Sequence, residues 1–210
     1  GEKLDAAVKA NITLTFHKTK KGLKNARENV GELIVCDIGL PKELETFAGP
    51  GDVSLVVKYR PSESHKGDFG RLLVVGGNET FSGAPTFVAL AGLRTGVDLA
   101  YVAAPERTAQ SISSMSPDLI TVKLSGKRLS VETVSAVKAY VEMAGAVVVG
   151  PGLGLHPETA EAVKMLIKIV EDAGKPLLLD ADGLKAFASF KRKLKVPLVL
   201  TPHAGEYAIL

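Results

Sequence analysis

Residues 65–96 read HKGDFGRLLVVGGNETFSGAPTFVALAGLRTG, and the order of residue types in this stretch decides the fold. Arg71 to Val75 is a short run of Leu and Val, the composition of a strand buried on both faces. Gly76-Gly77 stops it. A polar loop runs from Asn78 to Gly83, and Ala84 to Leu93 is an Ala- and Leu-rich helical segment with Pro85 where a first-turn proline is tolerated. A strand, a glycine turn and a helix N-terminus in succession make a place where small residues let a phosphate approach and free N–H groups point at it. The plainer reading is a tight turn that binds nothing, because glycine also punctuates ordinary turns.

Downstream the same alternation repeats. Strands are expected at Asp98–Ala103, Leu119–Val122, Ala146–Val149, Pro176–Leu179 and Pro197–Leu200. Helices are expected at about Glu106–Ser113, Val131–Met143, Pro157–Asp172 and about Gly183–Lys191, and a further helix begins at the C-terminus. Apolar strands alternating with helices mean an α/β fold, a largely parallel sheet covered on both faces. Residues 1–60 read differently. Asn11–Phe16 and Leu33–Asp37 are strand-like, His17–Gly22 is a basic loop, Pro41–Phe47 is a short helix or turn, and Val53–Val57 reads as a third strand. These pieces carry too little apolar surface to fold alone. Arg60–Lys66 is the best linker candidate.

Composition bounds the function. The chain of 210 residues is 46% hydrophobic and 23% charged, enough for a sizeable core, and a net charge of +3 is too small to argue for nucleic acid. The basic run Lys191–Lys195 reads as a solvated helix end. The single cysteine, Cys36, excludes an internal disulfide framework and fits a reducing cytoplasm. No apolar run approaches the ~18 residues of a membrane span, and Gly1-Glu2-Lys3 opens no targeting peptide. Both ends read as cut, the first lacking preceding strand partners and the last closing on an uncapped helical turn, so a longer parent is expected.

In open parallel sheets ligands bind beyond the carboxyl ends of the strands. Five loops there carry unusual residues: 76–83, 104–106, 150–154, 180–182 and 201–206. Gly77 in the first, and Gly150 and Gly154 in the third, place backbone N–H groups where phosphates could be cradled, although a glycine-rich strand exit reads the same way. Asp180 and Asp182 can hold magnesium, orient a water or bond a ribose; Asp182 is more simply a helix N-cap, whereas Asp180 has no such explanation. His203, with Glu206 three residues on, can contact a ligand, or the segment can be a cap. His17, His65 and His156 read as solvated or capping. No histidine pair has metal-ligand spacing, Cys36 has no CxxC partner, and neither a nucleophile elbow nor a P-loop is present. A Rossmann dehydrogenase is the main rival, with Glu106 as the ribose acid, but GxGxxG is missing and Glu106 lies too far on. Residue chemistry alone stops at an α/β protein binding a phosphate-bearing ligand.

Six motifs taken together go further. KGDFGRLLVVGG, FSGAP, AGLRTG, VVVGPGLG, LLLDADGL and LTPHAGE resemble, in order and spacing, the NAD(P)H-hydrate dehydratase family, over about residues 61–210. Residues 1 to about 57, with KANITLTFHKTKKGL, GELIVCDIGLP and AGPGDV, resemble the tail of an NAD(P)H-hydrate epimerase domain, which precedes the dehydratase in bifunctional microbial proteins. The domains implied are thus 1–60, an epimerase remnant and linker, and 61–210, the N-terminal part of a dehydratase.

The resemblance implies a ribokinase-like fold and the repair of hydrated NADH or NADPH, with ADP (or ATP) as phosphoryl donor and magnesium. Potassium belongs to the epimerase part of the parent. Ala84, Gly152 and His203 match the family's hydrate-binding positions, and Asp180 and Glu206 line the same cleft. Lys66 and Asp68 help position phosphate. A cytoplasmic homo-oligomer is implied, without nucleic acid or membrane partners. The family's Gly-Thr-Gly-Asp motif, with its catalytic aspartate, would lie beyond Leu210, so the catalytic residue is not expected here and the chain alone is expected to be inactive. A ribokinase-like small-molecule kinase and a non-catalytic nucleotide-binding module are the alternatives.

Overall fold

The computed structural model describes residues 7–57, 59–190 and 192–210, and the chain divides into two compact units, Gly1–Pro61 and Ser62–Leu210. The expectations for Gly1-Glu2-Lys3 and for Lys191 fall outside the described residues.

In the first unit, β1 (Ile12–Phe16) pairs in parallel with β2 (Glu32–Cys36), Ile12 opposite Glu32 and Phe16 opposite Cys36. Between them lie two short helices, α1 (Lys21–Asn25) and α2 (Arg27–Val30), so the basic segment expected to be loop becomes helical at Lys21. A 3₁₀ turn covers Lys42–Glu45. The expected strand at Val53–Val57 is instead helix α3, Pro50–Val56. Its start explains the error: Pro50 occupies the first helical position, and the Asp52 carboxylate accepts the Gly49 N–H at 2.8 Å. The β-branched residues there have no neighbouring strand to pack on, and Leu55, Val56 and Val57 are exposed. Among the described residues of this unit, Thr15 and Val30 are the buried side chains.

The second unit is a six-stranded parallel sheet. Its strands are β3 (Arg71–Val75), β4 (Leu99–Pro105), β5 (Leu119–Leu124), β6 (Ala146–Val149), β7 (Leu177–Leu179) and β8 (Leu198–Leu200), in the spatial order β5-β4-β3-β6-β7-β8. The helices are α4 (Gly83–Arg94), α5 (Glu106–Met115), α6 (Val131–Met143), α7 (Pro157–Asp172), α8 (Asp182–Ala188) and α9 (Ala204–Tyr207). Strand residues alternate between two cores, as the pleat requires. Val74, Val102 and Val148 meet Ala89 of α4 and Ile112 of α5, while Leu73, Val75, Val147 and Val149 meet Val137 of α6, Leu166 of α7 and Leu184 of α8. Both faces of the central strands are covered, which is why their sequences run apolar without alternation.

The strand order reverses between β3 and β6. From β3 the chain steps one way to β4 and β5, then crosses back through α6 to start the other half at β6. This switch point is where open α/β sheets leave a crevice at their carboxyl edge. Among the described residues, no helix is long and apolar enough to cross a membrane.

Candidate functional site

The loops after β3 and β6 flank the switch point, and they are built on each other. Gly77 donates its N–H to the Pro151 carbonyl at 2.8 Å, and a Cβ on Gly76 would stand 2.4 Å from that same oxygen. Gly150, at φ +131°, lies so near the next loop that a Cβ would meet the Asp180 carbonyl at 1.8 Å and the Gly183 nitrogen at 2.7 Å. Only glycine fits there, and the reason is loop-against-loop packing.

That packing corrects the phosphate-cradle expectation for Gly77, Gly150 and Gly154, because their N–H groups are already committed. Gly77 donates to Pro151, Gly150 to the Val75 carbonyl at 3.1 Å, and Gly154 to the Asp182 carboxylate at 2.8 Å. The Gly152 N–H has no partner among the described residues. Gly152, at φ +69°, sits against Phe81, three residues before Ala84 at the exposed start of α4. The first-turn amides of α4 have no intrahelical acceptor, and Ser82 before them contributes no side-chain cap.

Asp182 is not the N-cap of α8; that position is Ala181, at φ +47°. Asp182 divides its oxygens between the Gly154 N–H and the Lys185 ammonium, the latter at 3.0 Å. It therefore pins the β6 loop to the β7 loop. Asp180 stands at the β7 exit, where its Oδ1 accepts the Thr201 hydroxyl at 2.7 Å. Thr201 also donates to the Leu179 carbonyl at 3.3 Å, so the β8 exit is held against β7.

His203 is itself the N-cap of α9. Its Nδ1 accepts the N–H groups of Gly205 at 3.0 Å and Glu206 at 3.3 Å, while the Glu206 carboxylate accepts the His203 N–H at 3.1 Å. An accepting Nδ1 assigns the proton to Nε2, and Nε2 lies 3.5 Å from the other Glu206 oxygen. Glu206 is buried and His203 exposed, so the acid locks the ring and the ring presents a donor to solvent. Both readings of this segment hold together: it is a cap, and it leaves a polar edge to spare. His156 likewise caps α7 through Nδ1, which accepts the Glu158 N–H at 3.3 Å.

Ala84, Gly152, Asp180, His203 and Glu206 thus share the carboxyl edge of four consecutive strands, β3, β6, β7 and β8, a span of about 14 Å at the usual strand spacing. Lys66 and Asp68 do not join them. They precede β3, at the amino end of the sheet, where Asp68 accepts the His65 N–H and Asp98 accepts the neighbouring amides of Gly67 and Phe69. The phosphate-positioning role expected for Lys66 and Asp68 therefore has no place in this cleft. Glu106 begins α5 beyond β4, and no glycine fingerprint accompanies it. Among the described residues no three of His, Cys, Asp and Glu converge as a metal site. A loop left out of the sequence reading, residues 125–130 after β5, belongs to the same edge, since the Glu79 N–H donates to the Lys127 carbonyl at 2.9 Å. Its position after a strand was the signal available.

Residues 72–210 match the family described as NAD(P)H-hydrate dehydratase. The chain belongs to this family. The bifunctional NAD(P)H-hydrate repair enzyme Nnr of Pyrobaculum aerophilum is 47% identical to it, over 100% of this chain and 42% of that protein. An ATP-dependent (S)-NAD(P)H-hydrate dehydratase of Drosophila melanogaster is 36% identical over 81% of this chain and 54% of its own length. Among solved structures, a ribokinase-like superfamily protein of Enterococcus faecalis superposes with a TM-score of 0.64 and 27% identity, covering 74% of this chain and 53% of that one. An ADP/ATP-dependent NAD(P)H-hydrate dehydratase of Bacillus subtilis, at TM-score 0.57 and 24% identity, shares the fold. The expected ribokinase-like α/β architecture is thereby borne out. This chain spans about two fifths of the length of the repair enzymes it matches.

Proposed function

We propose that this chain provides the substrate-binding edge of a nicotinamide nucleotide repair enzyme, which dehydrates the S-epimer of hydrated NADH or NADPH at the expense of ADP, or of ATP. The observation that carries the reading is the meeting of Ala84, Gly152, Asp180 and His203 on one sheet edge, with the Gly152 N–H and the His203 Nε2–H uncommitted to other elements. The first offers a donor on a residue without a side chain, beside Phe81 and the Gly77 backbone, and the second a donor held in orientation by the buried Glu206. Asp180, oriented by Thr201, offers an anionic acceptor.

The chemistry removes a poor leaving group by making it a good one. The terminal phosphoryl group of ADP passes to the hydroxyl oxygen of the hydrate, leaving AMP. The carbon–oxygen bond then breaks with both electrons departing on phosphate, and the adjacent ring carbon gives up a proton as the double bond returns. Binding and orienting the hydrate is the part assigned to this chain, and the general base is assigned to none of its residues. The described residues form no cage for magnesium, so no step is routed through it; magnesium would arrive with the phosphates it accompanies.

Residues 1–60 are read as the end of an epimerase domain and residues 61–210 as the beginning of the dehydratase. Support comes from the division of the chain at Pro61 and from a family match that starts at residue 72. A cytoplasmic homo-oligomer, with a potassium ion in the epimerase part of the parent, completes the reading.

The test is recovery of NADH absorbance from hydrated NADH, with ADP or ATP and magnesium, by this chain and by the chain extended to its relatives' length. Restoration of NADH with release of AMP or ADP supports the dehydratase. Nucleotide consumption with an ordinary alcohol, and none with the hydrate, would replace it with a kinase.

A further inference from the structure

The loops after β3, β5 and β6 enclose a cavity of about 170 Å³ that the binding scheme above leaves unused. Four of the residues lining it carry donors. Lys127 and Arg128 come from the β5 loop, Asn78 from the β3 loop and His156 from the start of α7. Asn78 spends its Oδ1 on the amides of Thr80 and Phe81, which leaves its Nδ2 as a donor beside Gly154. His156 spends Nδ1 on Glu158, which leaves Nε2–H. Glu79 is the acid that lines this cavity, at 3.3 Å from Lys127 and 4.0 Å from Arg128, while Glu132 and Glu158 line the neighbouring hollow that the two cations also border. Two cations, two neutral donors and one carboxylate leave the cavity net positive. The Arg128 side chain is one-third exposed, and its long contact with Glu79 satisfies little of a five-donor guanidinium.

We propose that Lys127, Arg128, Asn78 and His156 form an anion subsite on the flank of the cleft, which takes a terminal phosphate group. A dianionic terminal phosphate suits it better than a bridging diester, since it can meet Lys127 and Arg128 together while Glu79 draws on the same pair. On the reading given above, on which this subsite rests, two ligands bring such a group: the 2′-phosphate, a monoester, of hydrated NADPH and the terminal, anhydride-linked phosphate of the nucleoside diphosphate. The first would make these residues the determinants of preference for NADPH hydrate over NADH hydrate.

The experiment is calorimetric titration of the chain extended to its relatives' length with NADPH, NADH and ADP, repeated with Arg128→Gln and Glu79→Gln in that extended chain. Arg128→Gln is expected to weaken NADPH by about tenfold and leave NADH unchanged, the loss that follows removal of a charge-assisted bond. Glu79→Gln is expected to tighten NADPH, a gain that a damaged fold cannot imitate. A tenfold loss confined to ADP supports the subsite and assigns it to the phosphoryl donor. If all three ligands bind both variants as they bind the parent chain, or if NADPH and NADH weaken together, the subsite is overturned. Binding of none of the three by the extended chain would instead overturn the dehydratase reading.

Discussion

Asp182 accepts the backbone N–H of Gly154 at 2.8 Å, although 28 residues of chain separate them. The bond ties the exit of β6 to the exit of β7, and Lys185 completes the carboxylate from the other side. Asp182 is mostly buried, so an unpartnered Gly154 N–H would find little water to replace it.

Asp182→Ala should therefore cost about 1–3 kcal/mol of stability and weaken binding of hydrated nucleotide, because the Gly152 donor two residues away loses its anchor. Asp182→Asn keeps an acceptor for Gly154 and should fall between. Urea unfolding midpoints beside binding isotherms check both.

Gly150→Ala should be worse than the loss of any single hydrogen bond. The added methyl would meet the Asp180 carbonyl at 1.8 Å, with φ at +131° besides. A loss above about 3 kcal/mol, or failure to fold, is expected. Gly126→Ala is the control. Its φ is +86°, but nothing lies within 4 Å of the new methyl, so only the backbone cost of about 1–2 kcal/mol remains. Equal unfolding midpoints for the two would contradict loop-against-loop packing.

At His203 capping and ligand contact separate by substitution. Asn retains an N-cap acceptor, whereas Ala retains nothing. His203→Asn should leave the unfolding midpoint nearly unchanged and reduce hydrate binding, while His203→Ala should do both harms, the stability part being about 1 kcal/mol. Binding that survives His203→Asn intact would confine His203 to its capping role.

Glu171 sets an acid limit. The Arg192 guanidinium bonded to it at 2.5 Å, then the Lys195 N–H at 2.8 Å, hold its carboxyl at about 2 against an ordinary 4.5. A carboxyl lowered on folding stabilises above its unfolded value, and that contribution drains away as pH falls from about 4.5 towards 2. Glu171→Gln should lower stability at neutral pH and flatten the stability–pH curve across this window. A curve parallel to the parent's would show that the pair contributes nothing.

Regular elements were legible in the sequence wherever burial was two-sided. Strand Arg71–Val75 and helices Val131–Met143 and Pro157–Asp172 stand at the residues their patterns indicate, because a strand in a covered parallel sheet reads as an unbroken apolar run. Val53–Val57 was misread because β-branched residues signal a strand only when another strand is there to pair with it. The same basic run that reads as a solvated helix end holds Arg192, docked on Glu171 of α7; that partner lies 21 residues away and no local pattern carries it. The candidate site divides in the same way. Strand exits are legible, and Asp180 and His203 stand at the exits of β7 and β8 as the sequence pattern indicates. Which glycine amides remained unspent, and which strand neighbours which, depend on long-range pairing, so Gly77, Gly150 and Gly154 were given amides that the packing had already taken, and the β5 loop was passed over.

The bond from Gly77 to the Pro151 carbonyl also sets an order in time. β3 and β4 leave the ribosome close together and can pair at once, but the carbonyl that fixes the Gly76-Gly77 turn is made about 75 residues later, roughly 4–15 s at ordinary rates of synthesis. Through that interval the β3 exit has its strand but not its shape. A ligand reading this edge can therefore recognise only a chain whose second half has already been threaded beside its first.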